Sequence, residues 1–444
     1  MIKVFQVCSL AFIISRTLTF SVFGQQDTTI QLTAETDNIY LCPNKQEAYL
    51  YINLNACSLG KRVPLNISVV FDRSGSMEGE RIHYGKRAIE YLIDQLQPND
   101  IMSLVIYDHE AFVLHGSEPV TDKQALKRKL EHIHARGSTN LMAGLELGVQ
   151  EVVSTYDKTK INRVFLFTDG QPNEGITDPD ILEHIVSEHA HKYDISVSTF
   201  GLGHEFNEFI MHSVSEAGAG NYYYIQSHTD IINTISQELQ IVNSVVAQNA
   251  KLIIDYPFQH FTVSRVYGHP FKEFNGQIYI DMKEIHPNET TGLLIKFTIV
   301  NRPTTNFSFK TRLTYFNCIS KTIGVIEKVN TISLAKSGQN CSDTYNSAVL
   351  EQMVYYSSHY LLESAIKDAD NEDVPAARKK VGEAKQLISQ SPVPPDSPLL
   401  SSQNKILNDY DTHLNIAHTK SEYHRRHTQK KIHHRNYLLR KNKK

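Results

Sequence analysis

At 444 residues the chain has length for two or three domains and a full hydrophobic core. Its 41% hydrophobic and 21% charged residues exclude a disordered, collagen-like or membrane-embedded chain. The net charge of -3 hides a basic end, because residues 420–444 hold ten Lys/Arg against Glu422 alone. The remainder is therefore acidic, which excludes a global nucleic-acid binder.

Residues 1–24 open with Lys3, run apolar from 4 to 14, meet Arg16 and reach Val22-Phe23-Gly24. That is the plan of a cleaved secretory signal; the apolar run is too short for a membrane span. The mature chain is expected to be soluble and either secreted or held in the cell envelope, in a periplasm or at the cell surface. Cys8 leaves with the signal, and the four remaining cysteines, Cys42, Cys57, Cys318 and Cys341, suit an oxidising compartment. Three connectivities are possible, and the local pairs Cys42 with Cys57 and Cys318 with Cys341 are expected, each adding roughly 3 kcal/mol. A zinc site is the rival reading, but no CxxC occurs.

From 28 to 63 the pattern is two-fold: Tyr49, Tyr51 and Asn53 face one way and Leu50, Ile52 and Leu54 the other. From 64 to 246, short β-branched or aromatic runs alternate with amphipathic windows, which predicts a mostly parallel sheet covered by helices. Strands are expected at 66–71, 101–107, 163–168 and 195–201. The first, with Ile67, Val69, Val70 and Phe71, is nearly all apolar, as a strand buried on both faces must be. Helical stripes fall on Ile82, Gly85, Ile89 and Leu96, and on Leu141, Leu145, Val149 and Val152.

Two-fold alternation returns in 247–335, with Leu293, Ile295, Phe297 and Ile299 and then Phe307, Phe309, Leu313 and Tyr315. Residues 28–63 and 247–335 are therefore expected to form one β-sandwich into which the α/β domain is inserted. Residues 343–391 predict a helical pair, 392–419 a proline-marked linker with a short helix, and 420–444 a basic disordered tail. Asp368, Asp370, Asn371 and Asp373 imitate an EF-hand start, but position six is not Gly and position twelve is Lys379, so a polar connection is expected. The tail is either a solvated end or a tether to an anionic surface.

The chemistry concentrates at the ends of the α/β strands. Asp72, Ser74 and Ser76 form a D-x-S-x-S run at the carboxyl edge of the first strand, where open α/β sheets hold ligands. In an extended loop all three side chains project to one side. Thr139 precedes a helix, and Asp169 closes another buried strand, so both can meet the run at one edge. Two carboxylates and three hydroxyls are hard oxygen donors that suit one divalent cation: Mg2+ first, with Mn2+ or Ca2+ as alternatives. The two carboxylates roughly neutralise the ion, and a partner's Asp or Glu carboxylate is the natural occupant of the coordination place left over.

These residues resemble the metal-ion-dependent adhesion site of von Willebrand factor type A (VWA) domains, over residues 65–240. The resemblance implies a Rossmann-like fold in which Ser74 and Ser76 ligate directly, Asp72 and Asp169 act largely through water, and Thr139 joins or leaves with the ligand state. The whole arrangement is similar to secreted relatives of the calcium-activated chloride channel regulator and inter-alpha-trypsin inhibitor heavy chain groups, above all their bacterial envelope members. The H-E-x-x-H motif of the first group is absent, since His204-Glu205 is followed by Phe206-Asn207-Glu208, and the DPHF-type motif of the second is missing.

The function expected is metal-dependent, adhesion-type protein binding outside the cytoplasm, not catalysis. Asp108, His109 and Glu110 after the second strand, and Asn173 and Glu174 after the Asp169 loop, are expected on the binding rim. The alternatives are a structural component of the envelope whose metal is structural, or a metal-assisted hydrolase, for which no convincing base or nucleophile lies near the site. The partner and the oligomeric state stay open.

Overall fold

The computed structural model describes residues 29–416 apart from 58, 59, 61, 204–206, 226, 288–290, 337–343, 371, 372 and 395. The expected signal, Cys341 and the basic tail lie outside the described residues.

The described residues open with three strands: β1 (Ile30–Thr36), β2 (Tyr40–Leu41) and β3 (Glu47–Ala56). The α/β segment follows, with β4 (Leu65–Asp72), α1 (Glu80–Gln95), β5 (Ile101–Tyr107), β6 (Ala111–Pro119), α2 (Lys123–Glu131) and α3 (Leu141–Ser154). It continues with β7 (Ile161–Thr168), α4 (Pro179–Tyr193), β8 (Ser196–Leu202), α5 (Glu208–Ala217), β9 (Ala219–Ile225) and α6 (His228–Asn243). The sheet order is β6-β5-β4-β7-β8-β9, parallel except for the antiparallel edge strand β6. Strands β4 and β7 are central and buried along their whole length, because helices cover both faces. On one face Ile67, Val69 and Phe71 meet Ile89 and Leu92 of α1 and Ile231 and Ile235 of α6. On the other, Val70 and Leu166 meet Leu145 and Val149 of α3, Val186 of α4 and Val214 of α5.

The chain then returns to β-structure: β10 (Ala247–Asp255), β11 (Phe261–Tyr267), β12 (Lys272–Phe274), β13 (Gln277–Ile285), β14 (Thr291–Ile299), β15 (Phe307–Asn317) and β16 (Thr322–Leu334). These join the first three strands in a four-stranded sheet, β1-β3-β14-β11, and a six-stranded sheet, β12-β13-β10-β15-β16-β2. Leu50, Ile52 and Leu54 point into the core between the sheets, against Leu252, Ile254, Phe309 and Leu313. The α/β segment leaves after β3 and returns at β10, so strands far apart in sequence share this core.

Tyr49 and Tyr51 take the opposite face of β3, and α7 (Ser347–Asp370) covers them through Val349, Met353 and Tyr356. Two more helices, α8 (Val374–Ser389) and α9 (Pro398–Ile416), pack with α7 into a three-helix bundle through Leu362, Ile366, Val381, Ala384, Leu407 and Tyr410. The segment expected as linker and short helix is thus largely a full helix. Pro398 begins it, since a missing N–H costs nothing at a first helical position. Asp373, from the EF-hand imitation, caps α8 by accepting from the Ala376 amide at 3.0 Å.

Neither expected local disulfide forms: Cys57 is an exposed free thiol and Cys318 a buried one. Cys42 follows β2 in the six-stranded sheet and Cys57 follows β3 in the four-stranded sheet, while Cys318 packs into the core beneath the α/β sheet. Cys42 is disulfide-bonded, and its partner is not among the described residues.

Candidate metal centre

Strand β4 delivers Asp72 to the carboxyl edge of the sheet, and a 3-10 turn at Gly75–Met77 follows at once. The turn folds the D-x-S-x-S run back on itself: the Ser74 amide donates to Asp72 Oδ1 at 2.8 Å, and the Ser74 and Ser76 hydroxyl oxygens lie 3.1 Å apart. Neighbouring loops are stitched to this turn through the backbone. Gly75 N donates to Gly137 O at 3.0 Å, and Arg136 N to Arg73 O at 2.7 Å. Gly137 takes φ +72°, a conformation that disfavours any residue with a Cβ. That pair of bonds holds the loop that carries Thr139 against the turn that carries the serines. Asn173 then clasps Thr139, its Oδ1 accepting from the Thr139 amide at 2.8 Å and its own amide donating to the Thr139 carbonyl at 3.1 Å.

Asp72, Ser74, Thr139 and Asp169 are buried, each at most 1% exposed, and Ser76 alone of the five opens to solvent. Asp72 Oδ2 accepts from Thr168 Oγ1 at 2.5 Å and from the Tyr107 hydroxyl at 3.2 Å. Burial, with the charge of Asp169 nearby, pushes the Asp72 carboxyl up to about 6 despite these bonds. Asp169 Oδ2 accepts from Arg81 Nη1 at 3.0 Å. Among the described residues Oδ1 of Asp169 is buried with no hydrogen-bond partner. A carboxylate oxygen left bare in a desolvated site costs free energy unless a cation or bound water completes it. This orphan belongs to a side chain that Arg81 ties to the Ser76 turn, and it fits a hard divalent cation. Among the described residues no three His, Cys, Asp or Glu side chains group around a point, so an ion here must draw on hydroxyls, which disfavours zinc or copper.

The expected rim residues divide. His109 and Glu110 are exposed in the hairpin turn from β5 to β6, and Asn173 and Glu174 are exposed in the loop after β7. Asp108 is instead fully buried, and a partner could not reach it. It accepts from Arg73 at 2.8 Å, from Arg136 Nε at 2.9 Å and from the Glu110 amide at 3.2 Å, and His109 Nδ1 lies 2.8 Å away. Burial raises the Asp108 carboxyl, but the Arg136 and Glu110 hydrogen bonds and the Arg73 charge outweigh it and leave it lowered. Asp108 therefore pins the loops beneath the rim.

Tyr107, Thr168 and Arg81, not among the expected site residues, bond the two carboxylates. The first two carry a signal, a hydroxyl at the carboxyl end of a strand whose immediately preceding residues are apolar. Arg81 carries none, since an arginine in the first turn of an amphipathic helix reads as solvated. Two exposed aromatics flank the site. Phe112 of β6 is 39% exposed beneath the Arg73 guanidinium, and Phe209 of α5 is 63% exposed, two residues beyond Asn207, whose amide donates to the Asp169 carbonyl.

An open, mostly parallel sheet covered by helices, with D-x-S-x-S, Thr and Asp at its carboxyl edge, defines a class of protein, and comparison with known families agrees. Residues 66–238 match the von Willebrand factor type A domain, and the chain carries a VWA domain. It is similar to an uncharacterised protein of Synechocystis sp., 30% identical over 204 residues that cover 46% of this chain and 48% of that protein. It is also similar to the uncharacterised protein YfbK of Escherichia coli, 28% identical over 53% of this chain and 42% of that one. Inter-alpha-trypsin inhibitor heavy chain H1 of Sus scrofa is 25% identical over 41% of this chain and 21% of the heavy chain. The chain thus spans at most about half the length of these relatives. Among solved structures, a von Willebrand factor type A protein from Catenulispora acidiphila shares the fold at a TM-score of 0.67, with 14% identity over 87% of this chain and 91% of that one. The ArnB paralog VWA2 from Sulfolobus acidocaldarius does so at 0.58, with 17% identity over 87% and 96%.

Proposed function

We propose that this chain is a divalent-metal-dependent protein-binding module that works outside the cytoplasm. The observation that carries the reading is the bare, buried Oδ1 of Asp169, on a side chain that Arg81 bridges to the Ser76 turn. In this reading Ser74, Ser76 and Thr139 hold one ion, most suitably Mg2+, and Asp72 and Asp169 support it. The ion supplies a Lewis-acidic position for an Asp or Glu carboxylate of a protein partner. His109, Glu110, Asn173 and Glu174 select that partner, and Asp108 holds their loops. The sandwich and helical bundle form the platform that presents this edge. Secretion through residues 1–24 and contact of the basic tail with an anionic surface belong to the same reading. Among the described residues no hydroxyl of Ser74, Ser76 or Thr168 is hydrogen-bonded to a histidine or lysine that could serve as its base, which supports binding over hydrolysis.

The test is capture from an extract of surface proteins by the immobilised protein, read by mass spectrometry in Mg2+, in chelator, and with Asp72→Asn. A partner retained only by the unmodified protein in Mg2+ is expected. Equal capture in all three conditions assigns binding to the sandwich or bundle and makes any metal structural.

A further inference from the structure

Arg81 lies in the first turn of α1, yet its side chain is only 20% exposed and is turned into the metal edge. Nη1 donates both to the Ser76 carbonyl at 2.7 Å and to Asp169 Oδ2 at 3.0 Å. Gly203, at the end of β8, makes room for it. There φ is +85°, and a Cβ would stand 2.9 Å from both Cγ and Nε of Arg81. The arginine thus occupies a cradle made by α1, the Ser76 turn and the β8 end. Among the described residues it is the only cation hydrogen-bonded to Asp72 or Asp169.

We propose that Arg81 makes metal binding at this edge depend on an anionic ligand; the inference rests on the metal reading above. A positive charge against Asp169 offsets part of the charge that two carboxylates offer a divalent ion. The ion alone is then held weakly, and the loaded site carries surplus positive charge. A ligand carboxylate removes that surplus, so ion and ligand raise each other's affinity by the same factor. Asp169 divides its two oxygens accordingly, with Oδ2 committed to Arg81 and Oδ1 left for the ion or its water. Arg81 is a positioning residue that sets affinity from beside the ligands.

The experiment measures Mn2+ binding from the resonance signal of free Mn2+, for the unmodified protein, Arg81→Gln and Arg81→Lys, in chloride and in acetate as the carboxylate probe. In chloride, Arg81→Gln should bind Mn2+ roughly tenfold more tightly than the unmodified protein, since a like charge near the ion is gone. Acetate should tighten Mn2+ binding strongly in the unmodified protein and in Arg81→Lys, which keeps the charge, and much less in Arg81→Gln. Equal affinity of Arg81→Gln and the unmodified protein in chloride, or equal enhancement by acetate, overturns the proposal. So does an unmodified protein whose affinity acetate does not move, a result that needs no variant to fold. Failure of all three proteins to bind Mn2+ in either salt overturns the metal reading itself.

Discussion

Arg163 of β7 reaches out of the α/β sheet to Glu284 of β13, and its other terminal nitrogen donates to Glu238 of α6 at 2.8 Å. The guanidinium is 1% exposed, and Glu238 also accepts from Ser198 at 2.6 Å and from Asn221 and Tyr223 at 2.7 Å. This network ties the domain that bears the candidate metal edge to the β-sandwich. Removing the cation strands two carboxylates away from water. Arg163→Met should lower stability by about 3–5 kcal/mol in denaturant titration. Adding Glu284→Gln to it should restore part of the loss.

The same network sets the response to acid. Burial alone would raise both carboxyls, but the Arg163 charge and hydrogen bonds hold Glu238 and Glu284 below their usual 4.5. A carboxyl depressed by folding contributes stability that is complete above its unfolded value and lost as pH falls through the folded one. The denaturation midpoint should therefore fall as pH drops below about 4.5, and the fall should be shallower in Arg163→Met. Asp37, raised by burial, acts in the opposite sense and cannot cause this loss.

Asp72 is fully buried and its hydrogen-bond partners, Ser74, Tyr107 and Thr168, are all uncharged. In chelator, Asp72→Asn should be at least as stable as the unmodified protein by thermal melting, because it removes a desolvated charge. Mg2+ should raise the midpoint of the unmodified protein only, by an amount equivalent to roughly 2.7 kcal/mol at a hundredfold excess over Kd. A rise in both proteins would remove Asp72 from the site.

Gly144 of α3 lies against Tyr107, and a Cβ there would stand 2.5 Å from Cδ1 and 2.6 Å from Cγ of that ring. The ring must move to accept a methyl group, and its hydroxyl bonds Asp72. Gly144→Ala should cost about 1–3 kcal/mol of stability by overpacking. It should also weaken Mn2+ binding roughly tenfold, the scale on which supporting partners of metal ligands act.

The two free thiols should behave differently. Cys57 is exposed, whereas burial pushes the Cys318 thiol up to about 12. A thiol reagent at neutral pH should label Cys57 within minutes and Cys318 only after denaturation, as mapped by peptide mass spectrometry.

The α/β fold was legible in the amino-acid sequence, which also singled out the five side chains proposed here as oxygen donors. An apolar run such as 66–71, bounded by turn signals, fits a strand buried on both faces, and the D-x-S-x-S run after it gathers its side chains through a 3-10 turn at Gly75–Met77 and not through an extended loop. The sequence also displayed the two-fold alternation of β3 and β14, because a half-buried strand writes its faces into alternate residues. Tertiary structure alone decided the remainder, since it depends on which distant segments meet. Cys42 and Cys57 are near in sequence but belong to different sheets, Asp108 looks like a rim residue until Arg73, Arg136 and His109 surround it, and Pro398 opens a helix that only the bundle's core sustains. Arg81 is the sharpest case. Nothing in its local sequence distinguishes it from a solvated arginine, and only the folding of β8 beside α1 brings Gly203 to its stem and Asp169 to its tip.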